Sequence, residues 1–168
     1  MKILITGGVR SGKSSFAEKL AAEFGEKVVY VATATAKDEE MRERIALHQS
    51  RRPPTWITVE EPVNLREVLL KARGDAVLVD CLTLWVTSLL LSDQEVIDKA
   101  REVVEIFPQI KIPVIFVTNE VGWGIVPDNE LARRFRDVAG LTNQIFARHC
   151  DEVYLVTAGL PLKLKGAV

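Results

Sequence analysis

Histidine and cysteine are nearly absent from the chain, at two residues each in 168, and aromatic side chains make up only 7%. Cys81 and Cys150 show no CxxC and no Cys/His spacing of the zinc type, so neither a disulfide framework nor a structural metal is indicated and two buried thiols are the plain reading. A charge surplus is missing as well: the formal net charge of -1 argues against an extended nucleic-acid surface. Long apolar runs are also lacking. The best, "LTLWVTSLLL", has about half the length a bilayer requires, and "MKILITGG" is too short to be the apolar part of a signal peptide. These absences leave a cytoplasmic protein with no membrane span and no nucleic-acid partner as the expectation.

What is present is the balance of a soluble globular protein, 48% hydrophobic and 27% charged, at a length that suits a single domain over 1–168. Five short runs rich in Val and Ile, over 2–6, 28–32, 76–80, 114–118 and 152–157, read as strands apolar on both faces, with a further strand in "TWITVEE" over 55–61. Helical periodicity occupies 13–24, 37–49, 64–73, 83–107 and 128–149. Asn64 and Asp128 stand where N-caps belong, Gly25 and Gly74 where helices stop, and Ser92 or Asp93 offers a new start that divides 83–107. Such alternation specifies an α/β protein whose mostly parallel sheet is covered by helices and binds ligands beyond the carboxyl ends of its strands.

Directly after the first run comes "GGVRSGKS": Gly7, Gly8, Val9, Arg10, Ser11, Gly12, Lys13 and Ser14, fitting G-x-x-x-x-G-K-[ST]. Glycines there let backbone N–H groups curl around phosphate oxygens while the following helix aims its positive end at the same anion. Lys13 would reach the β and γ phosphates, and Ser14 would ligate Mg2+. Asp80, closing "AVLVD", is expected to complete the metal shell from a neighbouring strand. The N-K-x-D stretch of a switch GTPase does not occur in "VTNEVGWGIVPDNE". Instead Asn119 and Glu120 end a strand and Gly122, Gly124 and Pro127 follow, which suits either an acceptor-binding loop or an ordinary solvated connection.

His48 shares a helical face with Met41 and Ile45. An inward histidine at a helix end is commonly a packed core residue. Against that, Arg51 and Arg52 follow at once with guanidiniums suited to phosphate, and a neutral imidazole is a competent nucleophile toward phosphorus. On residues alone both readings stand.

Six stretches in order, "GGVRSGKSSFAE", "VYVATA", "DEEMRERIALHQSRRP", "VDCLTLWVTSLL", "VTNEVGWGIVPDNELARRFRDVAGLTNQ" and "DEVYLVTAGLPLKLK", resemble the bifunctional adenosylcobinamide kinase / adenosylcobinamide-phosphate guanylyltransferase of cobalamin biosynthesis. The resemblance implies a three-layer P-loop NTPase fold like that of recombinase-type ATPases, a homotrimer, and a corrinoid substrate. It implies phosphorylation of the corrinoid's aminopropanol hydroxyl by ATP or GTP, then GMP transfer from GTP through a guanylylated histidine, which falls on His48. By the same resemblance, nucleotide contacts fall on Gly7 to Ser14, Ala32, Thr33, Ala34, Gln49, Ser50, Arg51, Arg52, Glu60 and Asp80. Arg133, Arg134 and Arg136 of the last long helix are either solvated or near the acceptor phosphate. A P-loop kinase of another small molecule, and a non-catalytic nucleotide-binding regulator, are the competing readings.

Overall fold

A computed structural model describes residues 1–34 and 52–166. The helix expected over 37–49 lies outside the described residues, and so do His48, Gln49, Ser50 and Arg51.

Seven strands form one sheet: β1 (Lys2–Gly7), β2 (Val28–Ala32), β3 (Ile57–Glu60), β4 (Ala76–Asp80), β5 (Val114–Val117), β6 (Glu152–Thr157) and β7 (Leu160–Lys165). Their order is β3-β2-β4-β5-β1-β6-β7, parallel throughout except for the antiparallel β6–β7 hairpin at one edge. The helices are α1 (Lys13–Glu23), α2 (Leu65–Lys71), α3 (Leu82–Leu91), α4 (Val96–Glu105) and α5 (Glu130–His149).

The two-sided apolar runs have a direct physical consequence, since successive side chains of a strand point to opposite faces. Ile3 and Ile5 of β1 pack with Ala17 and Ala21 of α1, whereas Leu4 between them joins the opposite core, with Trp85, Val103 and Phe146 from α3, α4 and α5. Helices therefore cover both faces, which gives the three-layer arrangement. On the larger side Trp85 and Phe146 are fully buried and meet edge to face at 6.3 Å, while the indole Nε1 donates to the Val63 carbonyl at 2.8 Å. That bond matters because an indole N–H without a partner in such a core would cost about 1–3 kcal/mol.

Three details depart from the sequence reading. The N-cap of α5 is Asn129 and not Asp128: the Asn129 carboxamide oxygen accepts from the Ala132 N–H at 3.0 Å. The start of α4 is capped by neither Ser92 nor Asp93; its N-cap position is Glu95, with no side-chain cap bond. Asn64 does occupy the N-cap of α2, but without a side-chain bond; Glu61 accepts from the Val63 and Asn64 N–H groups instead, at 2.9 and 2.8 Å.

Candidate active site

The turn from β1 into α1 is shaped by two glycines. At Gly7 a Cβ would collide with the Val156 carbonyl, and Gly12 adopts φ 95°, where a Cβ would also stand 3.2 Å from the Gly159 Cα. Ser11 N–H bonds to the Gly8 carbonyl at 3.3 Å, and the Ser11 carbonyl accepts from Gly159 N–H at 2.8 Å, so the β6–β7 turn braces the loop. Gly8, Val9 and Arg10 are exposed, but Ser11 is buried and its Oγ has no hydrogen-bond partner among the described residues. The first turn of α1 carries no side-chain cap and no acidic residue. Its orphan N–H groups and positive dipole end are of the kind that suits an anion.

Lys13 opens α1 and is buried; its Nζ folds back to donate to the Gly8 carbonyl at 2.9 Å. Burial is the main influence on this amine and lowers its pKa, opposed by the neighbouring Cys81 and Asp80. A lysine already desolvated, and paired among the described residues with a carbonyl, could exchange that partner for phosphate oxygens at little cost. Ser14 follows it, half-buried, in the first turn of the same helix.

Asp80 ends β4. This strand is not the neighbour of β1 expected from the sequence: β5 lies between them. The carboxylate Oδ2 accepts from the Tyr30 hydroxyl at 3.1 Å. Burial, reinforced by Asp80, pushes the Tyr30 phenol well above its usual range, so it remains a donor. Ser14 and Asp80 are hard oxygen donors on the anion-binding side, as Mg2+ prefers. No group of three or more His, Cys, Asp or Glu able to hold a metal occurs among the described residues. The ion would therefore take its remaining ligands from phosphate and water, its usual habit beside nucleotides.

Sheet register sets out the remaining candidates. Ile5, Val117, Asp80, Ala32 and Glu60 stand side by side across five strands. Glu60, exposed on β3, is thus four strand spacings from β1, about 19 Å at ~4.8 Å each. Thr33, fully buried, fastens the β2 and β4 ends: its Oγ1 donates to the Cys81 carbonyl at 2.7 Å and accepts from Cys81 N–H at 2.8 Å. Ala32 is buried and Ala34 half-buried beside it. The Arg52 guanidinium carbon lies 3.2 Å from the Tyr30 ring centroid, with Nε 4.0 Å from Glu18.

A polar network behind the loop was not legible in the sequence. Thr6 Oγ1 donates to Glu120 Oε1 at 2.9 Å, and Asn143 Nδ2 donates to the same oxygen at 3.3 Å and to the Asn119 carbonyl at 3.1 Å. Asn143 Oδ1 accepts from Thr118 at 2.7 Å, while Thr83 Oγ1 accepts from the Asn119 N–H and Nδ2, each at 2.9 Å. The available signal was Thr142 and Asn143, polar yet on the buried face of α5. From Glu120 the chain enters a loop where Trp123, Ile125 and Val126 are exposed, at 77%, 97% and 59%. Arg133 secures the far end of this loop, donating to the Pro127 and Asp128 carbonyls at 3.0 and 2.6 Å. Arg134 is exposed and Arg136 half-buried.

Residues 3–164 match the cobinamide kinase / cobinamide phosphate guanyltransferase family, CobU. The chain belongs to this family. Among curated relatives, it is 49% identical to the bifunctional adenosylcobalamin biosynthesis protein CobP of Pseudomonas aeruginosa, over 99% of this chain and 98% of that one. It is 43% identical to the CobU protein of Salmonella typhimurium, over 98% of this chain and the whole of that one. Two solved structures share the α/β P-loop architecture. The KaiC-like protein PH0186 of Pyrococcus horikoshii has a TM-score of 0.52 at 15% identity, covering 92% of this chain and 71% of that one. The P4 protein of bacteriophage phi6, solved in complex with ADP, has a TM-score of 0.51 at 14% identity, covering 95% of this chain and 52% of that one. Among the described residues no helix is long and apolar enough to cross a membrane.

Proposed function

We propose that this member of the cobinamide kinase / cobinamide phosphate guanyltransferase family is a single catalytic domain with two transfer activities. It phosphorylates the primary hydroxyl of the aminopropanol arm of adenosylcobinamide with ATP or GTP. It then moves GMP from GTP, by way of His48, onto that phosphate. The products are adenosylcobinamide-GDP and pyrophosphate. The observation that carries this reading is the family match along almost the whole chain, on a glycine-shaped loop whose Lys13 opens α1 and folds back onto the Gly8 carbonyl.

In both steps Lys13 leaves the Gly8 carbonyl for the phosphate oxygens, and the N–H groups of the loop and of α1 hold the charge that shifts as the leaving group departs. Ser14 and Asp80 would hold Mg2+, which supplies neutralising charge on the phosphate oxygens when bound. In the second step an imidazole nitrogen of His48 attacks the α-phosphorus and the bond to pyrophosphate breaks. A phosphate oxygen of the acceptor then attacks the same phosphorus, and the N–P bond breaks to restore the histidine. Gln49, Ser50 and Arg51 lie next to His48 in sequence and belong with Arg52, Ala32, Thr33, Ala34, Glu60 and Asp80 to the nucleotide's surroundings. A cytoplasmic homotrimer is the matching cellular form.

The test is covalent labelling. Protein incubated with Mg2+ and GTP radiolabelled at the α phosphate should acquire an acid-labile, alkali-stable label that His48→Ala abolishes. A chain that transfers phosphate but never takes the label is a kinase alone.

A further inference from the structure

We infer that Glu120 is the general base of the kinase step, taking the proton from the acceptor's hydroxyl through its Oε2 atom. The inference rests on the kinase reading above. Four observations place the residue. Its backbone N–H donates to the Gly7 carbonyl, the first residue of the phosphate loop, at 3.2 Å. It follows β5, the strand inserted between β1, which carries the phosphate loop, and β4, which carries Asp80, so it leaves the same carboxyl edge of the sheet as both. Its Oε1 is fixed by Thr6 and Asn143, while Oε2 makes no hydrogen bond among the described residues and the side chain is only half-buried. Finally, the largely exposed loop from 121 to 128 begins after this residue, at the carboxyl edge where α/β sheets take their ligands.

Among the described residues, the carboxylates of Asp80 and Glu61 are otherwise engaged and that of Glu60 is distant. Asp80 accepts from Tyr30 and is the candidate metal ligand, Glu61 caps the start of α2, and Glu60 is four strands from β1. Glu120 thus combines orienting partners on one oxygen with a second oxygen free among the described residues, on a residue whose backbone bonds to the phosphate loop, the arrangement a general base requires. In the step, the acceptor oxygen forms its bond to the γ-phosphorus as the bond from that phosphorus to the β-phosphate oxygen breaks. The hydroxyl proton passes to Oε2, and the nucleoside diphosphate departs.

The second half-reaction gives an internal control, because its acceptor is a phosphate oxygen that is already ionised and has no proton to surrender. Full-length wild type and Glu120→Gln are compared in two assays: adenosylcobinamide with ATP and Mg2+, and preformed adenosylcobinamide phosphate with GTP and Mg2+. The glutamine carbonyl can still accept from Thr6 and Asn143, so folding is preserved. The expected result is a fall in the ratio of the first rate to the second by about 100- to 10,000-fold, carried by kcat. Glu120→Asp, which withdraws the carboxylate but keeps its basicity, should retain more of the first step than Glu120→Gln, whereas a packing or bracing role would favour the better isostere. Parallel loss of both rates, an unchanged ratio, or glutamine outperforming aspartate each overturns the role. A wild type that leaves adenosylcobinamide unphosphorylated, while other alcohols are phosphorylated through Glu120, overturns the substrate reading and leaves the base assigned.

Discussion

The Tyr30 hydroxyl donates to Asp80 Oδ2 at 3.1 Å, and the face of the same ring carries the Arg52 guanidinium at 3.2 Å. One aromatic side chain therefore joins the candidate metal carboxylate to an arginine from the segment that follows His48. Tyr30→Phe keeps the stacked arginine and removes the bond, so a loss of about 1 kcal/mol in denaturant unfolding is expected, together with a higher Mg2+ concentration at half-maximal activity. Tyr30→Ala removes both and leaves a cavity, at about 3–5 kcal/mol. Equal unfolding midpoints for Tyr30→Phe and wild type would show the bond to be energetically idle.

Gly12 is held at φ 95° and in near contact with Gly159. Alanine there incurs about 1–2 kcal/mol for the left-handed conformation alone. It also pushes the β6–β7 turn off the Ser11 carbonyl. The expected outcome is a lowered melting temperature and a larger loss of nucleotide affinity by calorimetry, because the displaced turn braces the anion site.

Lys13→Ala should reduce both half-reactions by at least about 100-fold, since it removes a preorganised charge from transferring phosphates. Removal of Mg2+ with a chelator should likewise arrest both. Steady-state rates after metal restoration check that the loss is reversible.

Burial pushes the Cys81 thiol up to about 11 and the Cys150 thiol up to about 12. The thiolate is the reactive form, so neither should react with a disulfide reagent at pH 8 in the folded protein, and both should react once it is unfolded. The sign of the stability effect follows: both folded values lie above the ordinary 9.0, so the contribution is full below pH 9 and is lost as pH rises through 11 and 12. Unfolding midpoints measured at pH 8 and pH 10.5 should fall in that order.

Phe146 touches Trp85, Phe107 and Phe116, with ring centroids 6.3, 6.1 and 4.9 Å away. Phe146→Ala should cost about 3–5 kcal/mol, seen in the denaturant midpoint. The same helix supplies Asn143 to the Glu120 network, so the activity of the folded fraction should fall as well.

How much of this was legible in the chain depended on whether a residue's neighbours in space are also its neighbours in sequence. The runs over 28–32, 76–80 and 152–157 coincide with β2, β4 and β6 because a strand covered on both faces must be apolar at consecutive positions. β7 escaped notice because "LPLKLK" carries a proline and is almost wholly exposed, so no continuous apolar run marks it. Asn129 rather than Asp128 caps α5 because two capping residues stand together and only the backbone path selects the one within reach of Ala132. Arg52 stacks on Tyr30, a partner twenty-two positions earlier that no local pattern discloses.

The sequence by itself determined the phosphate loop, since glycine tolerance and a lysine at the helix start are properties of eight consecutive residues, and it determined the alternation that makes a parallel sheet. Only the tertiary structure decided the strand order. It put β5 between β1 and β4 and so brought Glu120 against Gly7, with Thr6 and Asn143 holding one oxygen and leaving the other open. The contacts of Glu120 with Gly7 and Thr6 join residues more than a hundred positions apart, and pairing over such separations is settled by burial of the whole sheet rather than by any local preference.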